Sequence, residues 1–311
     1  MDTFTADDGE RLHLRIAGNG IPVLFLHGWT SSHAVWNPLL PTLTAGYQVF
    51  CPDARCHGGH DTLVTTQPSI KRLARDVLNL IDHYGLNNLA VVGHSMGALT
   101  LWQFIRDYGC ARLSHLCIID QSPKLVTDTE WAYGIYGDFD AIRSQQLITE
   151  MQVDFAEAVM RLAAYGLNAR ALNGYERNSA AWQALRRYLH ALKPGPLIAI
   201  WESLVDADLR DVLPQITIPT LVVWGSESNF YIPGTAKYLR DHIACCRVIR
   251  YPAADHSPQL QYPDRFVSEL HDFLGGLGMS YSASTIDRDT QVAILGSNAM
   301  SDLVAMRSTQ L

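Results

Sequence analysis

Leu89-Ala90-Val91-Val92-Gly93-His94-Ser95-Met96-Gly97 is the stretch that decides the fold. An apolar run leads into Gly-x-Ser-x-Gly, and a helical pattern follows it, Ala98-Leu99-Thr100-Leu101-Trp102-Gln103-Phe104-Ile105. Strand, Gly-x-Ser-x-Gly and helix together predict a nucleophile elbow. In such a turn the central residue is strained, and the flanking glycines remove side chains that would collide. The arrangement presents the Ser95 hydroxyl clear of the backbone at a strand end. The Met96 backbone N–H, next along, points at the same spot and can bind an oxyanion.

Working outward, continuous apolar strands alternate with amphipathic helices. Pro22–Leu26 ends at His27-Gly28-Trp29, Tyr47–Cys51 leads into the polar loop 53–60, and Leu116-Cys117-Ile118-Ile119 ends at Asp120. Two short strands, near Phe4 and over 12–16, precede them, joined by a turn at 7–10. Helices are expected over 35–43 and 69–84. Strands that are apolar throughout and separated by helices form a parallel sheet covered on both faces. Ligands bind such sheets at the carboxyl ends of the strands, where His27, Asp53, Ser95 and Asp120 fall. The expected class is therefore α/β, a mostly parallel, doubly wound sheet of about eight strands.

After Asp120 the alternation stops. Residues 122–214 read as helical, over 141–162, 180–192 and 196–204, with frequent aromatics and no strand candidate. This is read as a helical lid inserted into a core formed by 1–121 and 215–276. The sheet resumes at Thr220–Gly225, a helix is expected near 234–243, and the last strand covers 247–251. The loop Asp255-His256-Ser257-Pro258 then precedes a final helix over 262–274. Residues 277–311 are Ser- and Thr-rich with two apolar patches, and read as a tail that is either mobile or packed on a neighbour, as in a homodimer.

Composition bounds the rest. The chain has 311 residues, 48% hydrophobic and 18% charged, enough for one large core. A net charge of −7 argues against nucleic acid as a partner. No apolar run is long enough to span a membrane, and the acidic start, Met1–Asp8, carries no secretory h-region. A cytoplasmic location is expected. The six scattered cysteines form no C-x-x-C pair and read as reduced thiols, with Cys56 expected near the site. No metal-ligand spacing, phosphate loop or dinucleotide fingerprint is visible, so no cofactor and no metal are expected.

A serine hydroxyl needs a base, and the base needs an acid to fix its tautomer. His256, after the last strand, is the best base. A second oxyanion donor is expected from the loop after the early strand, at the Trp29 backbone. Gly28 lets that backbone come close, and His27 ties the loop down.

With strand-His27-Gly28-Trp29, Asp53-x-Arg55-x-His57-Gly58, Gly93-x-Ser95-x-Gly97 and Asp255-His256 in this order, the chain resembles the α/β-hydrolase fold superfamily over roughly residues 3–275. Members usually carry Asp three residues after the glycine ending the seventh strand. That position here is Ser228, and Glu227 stands one place early. A subgroup of bacterial esterases and thioesterases instead pairs Asp-x-x-Pro after the sixth strand with a serine after the seventh. Asp120 with Ser228 fits that pattern, so the resemblance implies Asp120 as the acid, with Glu227 as the alternative.

Ser95, His256 and Asp120 imply a cofactor-free serine hydrolase acting on a small-molecule ester or acyl thioester with an apolar acyl or aryl group. Its activity would fall below about pH 6 to 6.5 as His256 protonates. Serine at the elbow argues against the relatives that use Asp there. A biosynthetic acyltransferase, a carbon–carbon bond hydrolase, a perhydrolase side activity and a small-molecule receptor of the same fold are the alternatives.

Overall fold

A computed structural model describes residues 1–60 and 67–275. The tail over 277–311 lies outside the described residues. The strands are β1 (Asp2–Thr5), β2 (Arg11–Ala17), β3 (Ile21–Leu26), β4 (Tyr47–Pro52), β5 (Leu89–His94), β6 (Leu113–Ile119), β7 (Thr220–Gly225) and β8 (Cys246–Tyr251). They form one eight-stranded sheet in the order β1-β2-β4-β3-β5-β6-β7-β8. β2 pairs antiparallel with both β1 and β4, and from β4 onward all neighbours are parallel.

The central strands are buried on both faces, which explains their unbroken apolar runs. In β5, Leu89 and Val91 join the apolar cluster on one face, while Ala90 and Val92 join the cluster on the other. Each fully buried aliphatic side chain of this size contributes about 1.5–3 kcal/mol of transfer free energy. The helices are α1 (Leu40–Leu43), α2 (Ile70–His83), α3 (Met96–Tyr108), α4 (Ala141–Val153), α5 (Phe155–Ala164), α6 (Ala169–Glu176), α7 (Ala180–His190), α8 (Pro194–Val205), α9 (Pro233–His242), α10 (Pro258–Gln261) and α11 (Pro263–Phe273). α2 and α3 pack on one face, and α1, α10 and α11 contribute to the other. None of the described helices is long and apolar enough to cross a membrane.

Strand order reverses at β3. The chain steps outward from β3 to β4, then returns to β5 on the opposite side. The carboxyl ends of β3 and β5 thus face a crevice flanked by connections running in opposite directions. Gly28 and Ser95 follow those two ends.

Two helical expectations differ in detail, and one helix falls outside them. The expected helix over 35–43 is a 3-10 turn, His33–Trp36, followed by the single turn of α1. Pro38 has no N–H, so it cannot donate a bond that would join the two turns into one helix. The expected helix over 141–162 breaks at Asp154, whose backbone is extended and whose carboxylate accepts the Glu157 N–H to start α5. α6, between the expected helices, has no fully buried residue, and only Ala171 and Tyr175 pack against the core, a stripe too short to read.

Candidate active site

Ser95 sits between β5 and α3 with φ +54° and ψ −119°, a strained conformation for a residue with a side chain. Its surroundings leave room only for glycine at the flanking positions. A Cβ at Gly97 would strike the Leu26 carbonyl, and one at Gly93 would lie 2.7 Å from the Gly97 and Ala98 backbones. The neighbouring strand holds the turn, with the Ser95 N–H donating to the Ile119 carbonyl at 3.3 Å. His94 lies behind the serine, and its Nε2 donates to the His256 carbonyl at 2.9 Å. That bond ties the elbow to the loop after β8. Burial holds His94 neutral, well below the usual histidine range.

His256 and Asp120 meet across 136 residues, with Nδ1 2.7 Å from Oδ2. The Nδ1–H donates to the carboxylate, which leaves the Nε2 lone pair as the basic position. Asp120 is fully buried. Its Oδ2 also accepts the Ser228 hydroxyl at 2.6 Å, and its Oδ1 accepts the Gly225 N–H at 3.3 Å. The Ser228 oxygen in turn accepts the Phe230 and Tyr231 N–H groups, both at 3.2 Å. Burial pushes the Asp120 carboxyl up, opposed by the donors from Ser228 and Gly225. Burial pushes His256 down, so its imidazole is neutral near pH 7. Phe230 shields the pair, packing against the His256 ring at 83° with centroids 4.6 Å apart.

Glu227 lies elsewhere. Its half-exposed carboxylate pairs with Arg170 at 2.6 Å, and its backbone carbonyl accepts the Asn168 side chain. The structure therefore brings Asp120 and Ser228, not Glu227, to His256.

The loop after β3 is held from the sheet side at both ends. His27, fully buried, donates from Nδ1 to the Gly28 carbonyl at 2.8 Å and accepts the Ala54 N–H at Nε2 at 3.0 Å. His33 donates its backbone N–H to Asp53 at 2.7 Å, and its ring Nδ1 lies 2.9 Å from the same carboxylate. Gly28 faces the elbow closely; a Cβ there would lie 3.3 Å from the Ser95 Cβ. The Trp29 and Met96 N–H groups take no part in the backbone hydrogen bonds of the described turns and loops.

Ser95, Met96, His256, Gly28 and Trp29 line one pocket with about 1130 Å³ of free space, its mouth included. Much of the remaining wall is apolar, supplied by Val159, Leu162, Leu185, Trp201 and Leu204 of the segment between β6 and β7. Cys56 does not line this pocket; it stands in the loop after β4, beside a separate surface hollow. Among the described residues, no group of three or more His, Cys, Asp or Glu side chains is placed to hold a metal ion.

Two contacts of the Trp29 loop had no sequence signal. The Trp29 Nε1 donates to the Leu197 carbonyl at 3.0 Å, and the Tyr188 hydroxyl donates to the Thr30 carbonyl at 2.7 Å. The partners are 168 and 158 residues apart, beyond any local pattern.

Residues 21–263 match the family model described as the alpha/beta hydrolase fold. The chain belongs to this family. Among curated relatives of this alpha/beta hydrolase, the strigolactone esterase D14 of Arabidopsis thaliana is 26% identical over 85% of this chain and 95% of its own. The pimeloyl-[acyl-carrier protein] methyl ester esterase of Aeromonas hydrophila is 27% identical over 83% and 97%. Among solved structures, an esterase from Exiguobacterium antarcticum superposes with a TM-score of 0.72 at 22% identity, over 88% of this chain and 98% of that one. That likeness is one of fold.

Proposed function

We propose that this alpha/beta hydrolase cleaves a carboxylic ester, or an acyl thioester, through an acyl-enzyme on Ser95. The observation that carries the reading is the hydrogen-bonded run Ser228–Asp120–His256, which opens on the pocket that Ser95 also lines. In this reading the His256 Nε2 takes the Ser95 proton as Oγ attacks the carbonyl carbon. The oxyanion forms between the Trp29 and Met96 N–H groups. His256 then returns the proton to the departing alkoxide or thiolate, and water repeats the sequence to release the acid. Asp120 keeps the imidazole in the useful tautomer and stabilises the imidazolium. Ser228 and Gly225 hold that carboxylate in place.

The segment 122–214 acts as a lid over 1–121 and 215–276 in this reading. Its apolar wall fits an aliphatic or aryl acyl group, and esterases among the relatives favour the ester.

The test is steady-state hydrolysis of p-nitrophenyl esters and acyl-CoA thioesters of increasing chain length, by wild type and Ser95→Ala. Turnover should fall by about 10⁴ or more in the variant with the fold retained. Turnover equal in both proteins would remove the serine mechanism. Absence of turnover by wild type across the panel would remove the ester and thioester reading.

A further inference from the structure

Thr30, directly after Trp29, has φ +62°. That region is costly for any residue with a side chain and most costly for a β-branched one. A strained residue of this kind persists only where its surroundings over-determine it. The sheet side fixes the loop at His27 and His33, flanking Thr30 at some distance. Closest to the strain, the Ser31 N–H donates to the Gly28 carbonyl at 3.2 Å and closes a turn around Trp29 and Thr30, and groups of the helical segment hold that turn from outside. The Tyr188 hydroxyl of α7 holds the Thr30 carbonyl, the Leu197 carbonyl of α8 holds the Trp29 indole, and Thr30 Oγ1 donates to the Trp29 carbonyl at 2.6 Å. The Trp29 ring is also wedged between Phe155 of α5 and Trp201 of α8, at centroid distances of 5.6 and 4.7 Å.

We infer that Tyr188 is a positioning residue: through Thr30 it holds the Trp29 N–H in its oxyanion-binding geometry, coupling the helical segment to the chemical step. The inference rests on the ester-hydrolase reading for its kinetic consequence, but not for the coupling itself. A group that positions an oxyanion donor acts mainly in the transition state, so its loss lowers kcat more than it raises KM. A group that only lines the pocket would raise KM.

The experiment is Tyr188→Phe, which keeps the ring and removes the one hydroxyl. Hydrogen exchange of the 28–32 backbone should speed up by about five- to tenfold, with exchange in β5 and α3 unchanged, as expected for losing one hydrogen bond at a strained site. In parallel, kcat should fall by about tenfold with KM within about twofold. Affinity for a boronic acid that mimics the tetrahedral oxyanion should fall by the same factor as kcat. Trp29→Phe, which removes the bond to Leu197 while keeping an aromatic ring, should give the same exchange signature. Unchanged exchange over 28–32 in both variants overturns the coupling. So does a rise in KM with kcat and boronate affinity intact. If wild type turns over none of the esters, the hydrolase reading fails by itself, and the exchange comparison still decides whether the loop is held by Tyr188.

Discussion

The sheet side of the pocket carries strained residues held by directed hydrogen bonds, whereas most of the helical wall is aliphatic side chain held by packing. On the first side, Ser95 and Thr30 of the wall and Asp120 buried behind His256 all have positive φ, and each has a backbone or side-chain group bonded to a specific partner. On the second, Val159, Leu162, Leu185 and Leu204 present branched aliphatic surface with no directed bond from the side chain. In the proposed reaction, strain is concentrated where reacting atoms would be placed to within a fraction of an ångström, and apolar surface where an acyl chain would fit. The lesson is a division of labour: changes to the first wall, or to the Tyr188 hydroxyl bonded to it, should act on rate, and changes to the aliphatic side chains of the second on selectivity.

Asp120→Asn is the harshest test of that division. It should cost about 10³–10⁴ in kcat, because the amide stabilises neither the tautomer nor the imidazolium. Glu227→Gln in the same assay should stay within about twofold, since it removes only a half-exposed ion pair with Arg170. Losses of equal size would make the two acids equivalent and undo the contrast within the first wall.

The pH profile is the next largest effect. With a neutral His256 as the base of the proposed reaction, kcat/KM should be level above about pH 6.5 and fall toward tenfold per unit well below it. Burial pushes the imidazole down, which moves the acid limb below the ordinary histidine value. The negative charge of the neighbouring Asp255 pulls the other way. A midpoint above 6.5 would mean that the carboxylate outweighs burial.

The smallest effect belongs to the helical wall. Val159→Phe narrows the pocket from α5 and should move preference toward shorter acyl groups by about tenfold, with kcat on the shortest ester unchanged. A chain-length profile that does not move would place the acyl group away from α5.

The same contrast governs what was legible in the sequence. The elbow could be read because strand, glycines, serine and helix are contiguous, and burial of β5 on both faces writes itself as an unbroken apolar run. The order of motifs placed His256 and the Trp29 loop at the right edge. The choice of Asp120 over Glu227 came from resemblance, because a hydrogen bond spanning 136 residues leaves no local trace. The helical segment was legible as helical but not in its breaks. Asp154 caps α5 in the middle of an otherwise continuous helical pattern, and α6 buries no residue fully. Tyr188 was invisible for the same reason as the Asp120 pairing: its importance lies in one distant carbonyl.

The strand that precedes His256 has a further consequence for how activity is lost. Among the described residues, β8 lies at the rim of the sheet, paired on one side only, and most of its residues are partly exposed. Peripheral strands open at lower free energy than the centre of a sheet. Fraying there withdraws the imidazole while β3, β5 and β6 remain assembled. On heating, inactivation would therefore run ahead of global melting. During synthesis, likewise, the base is among the last parts to arrive, so a chain still emerging holds a finished nucleophile turn with nothing to activate it.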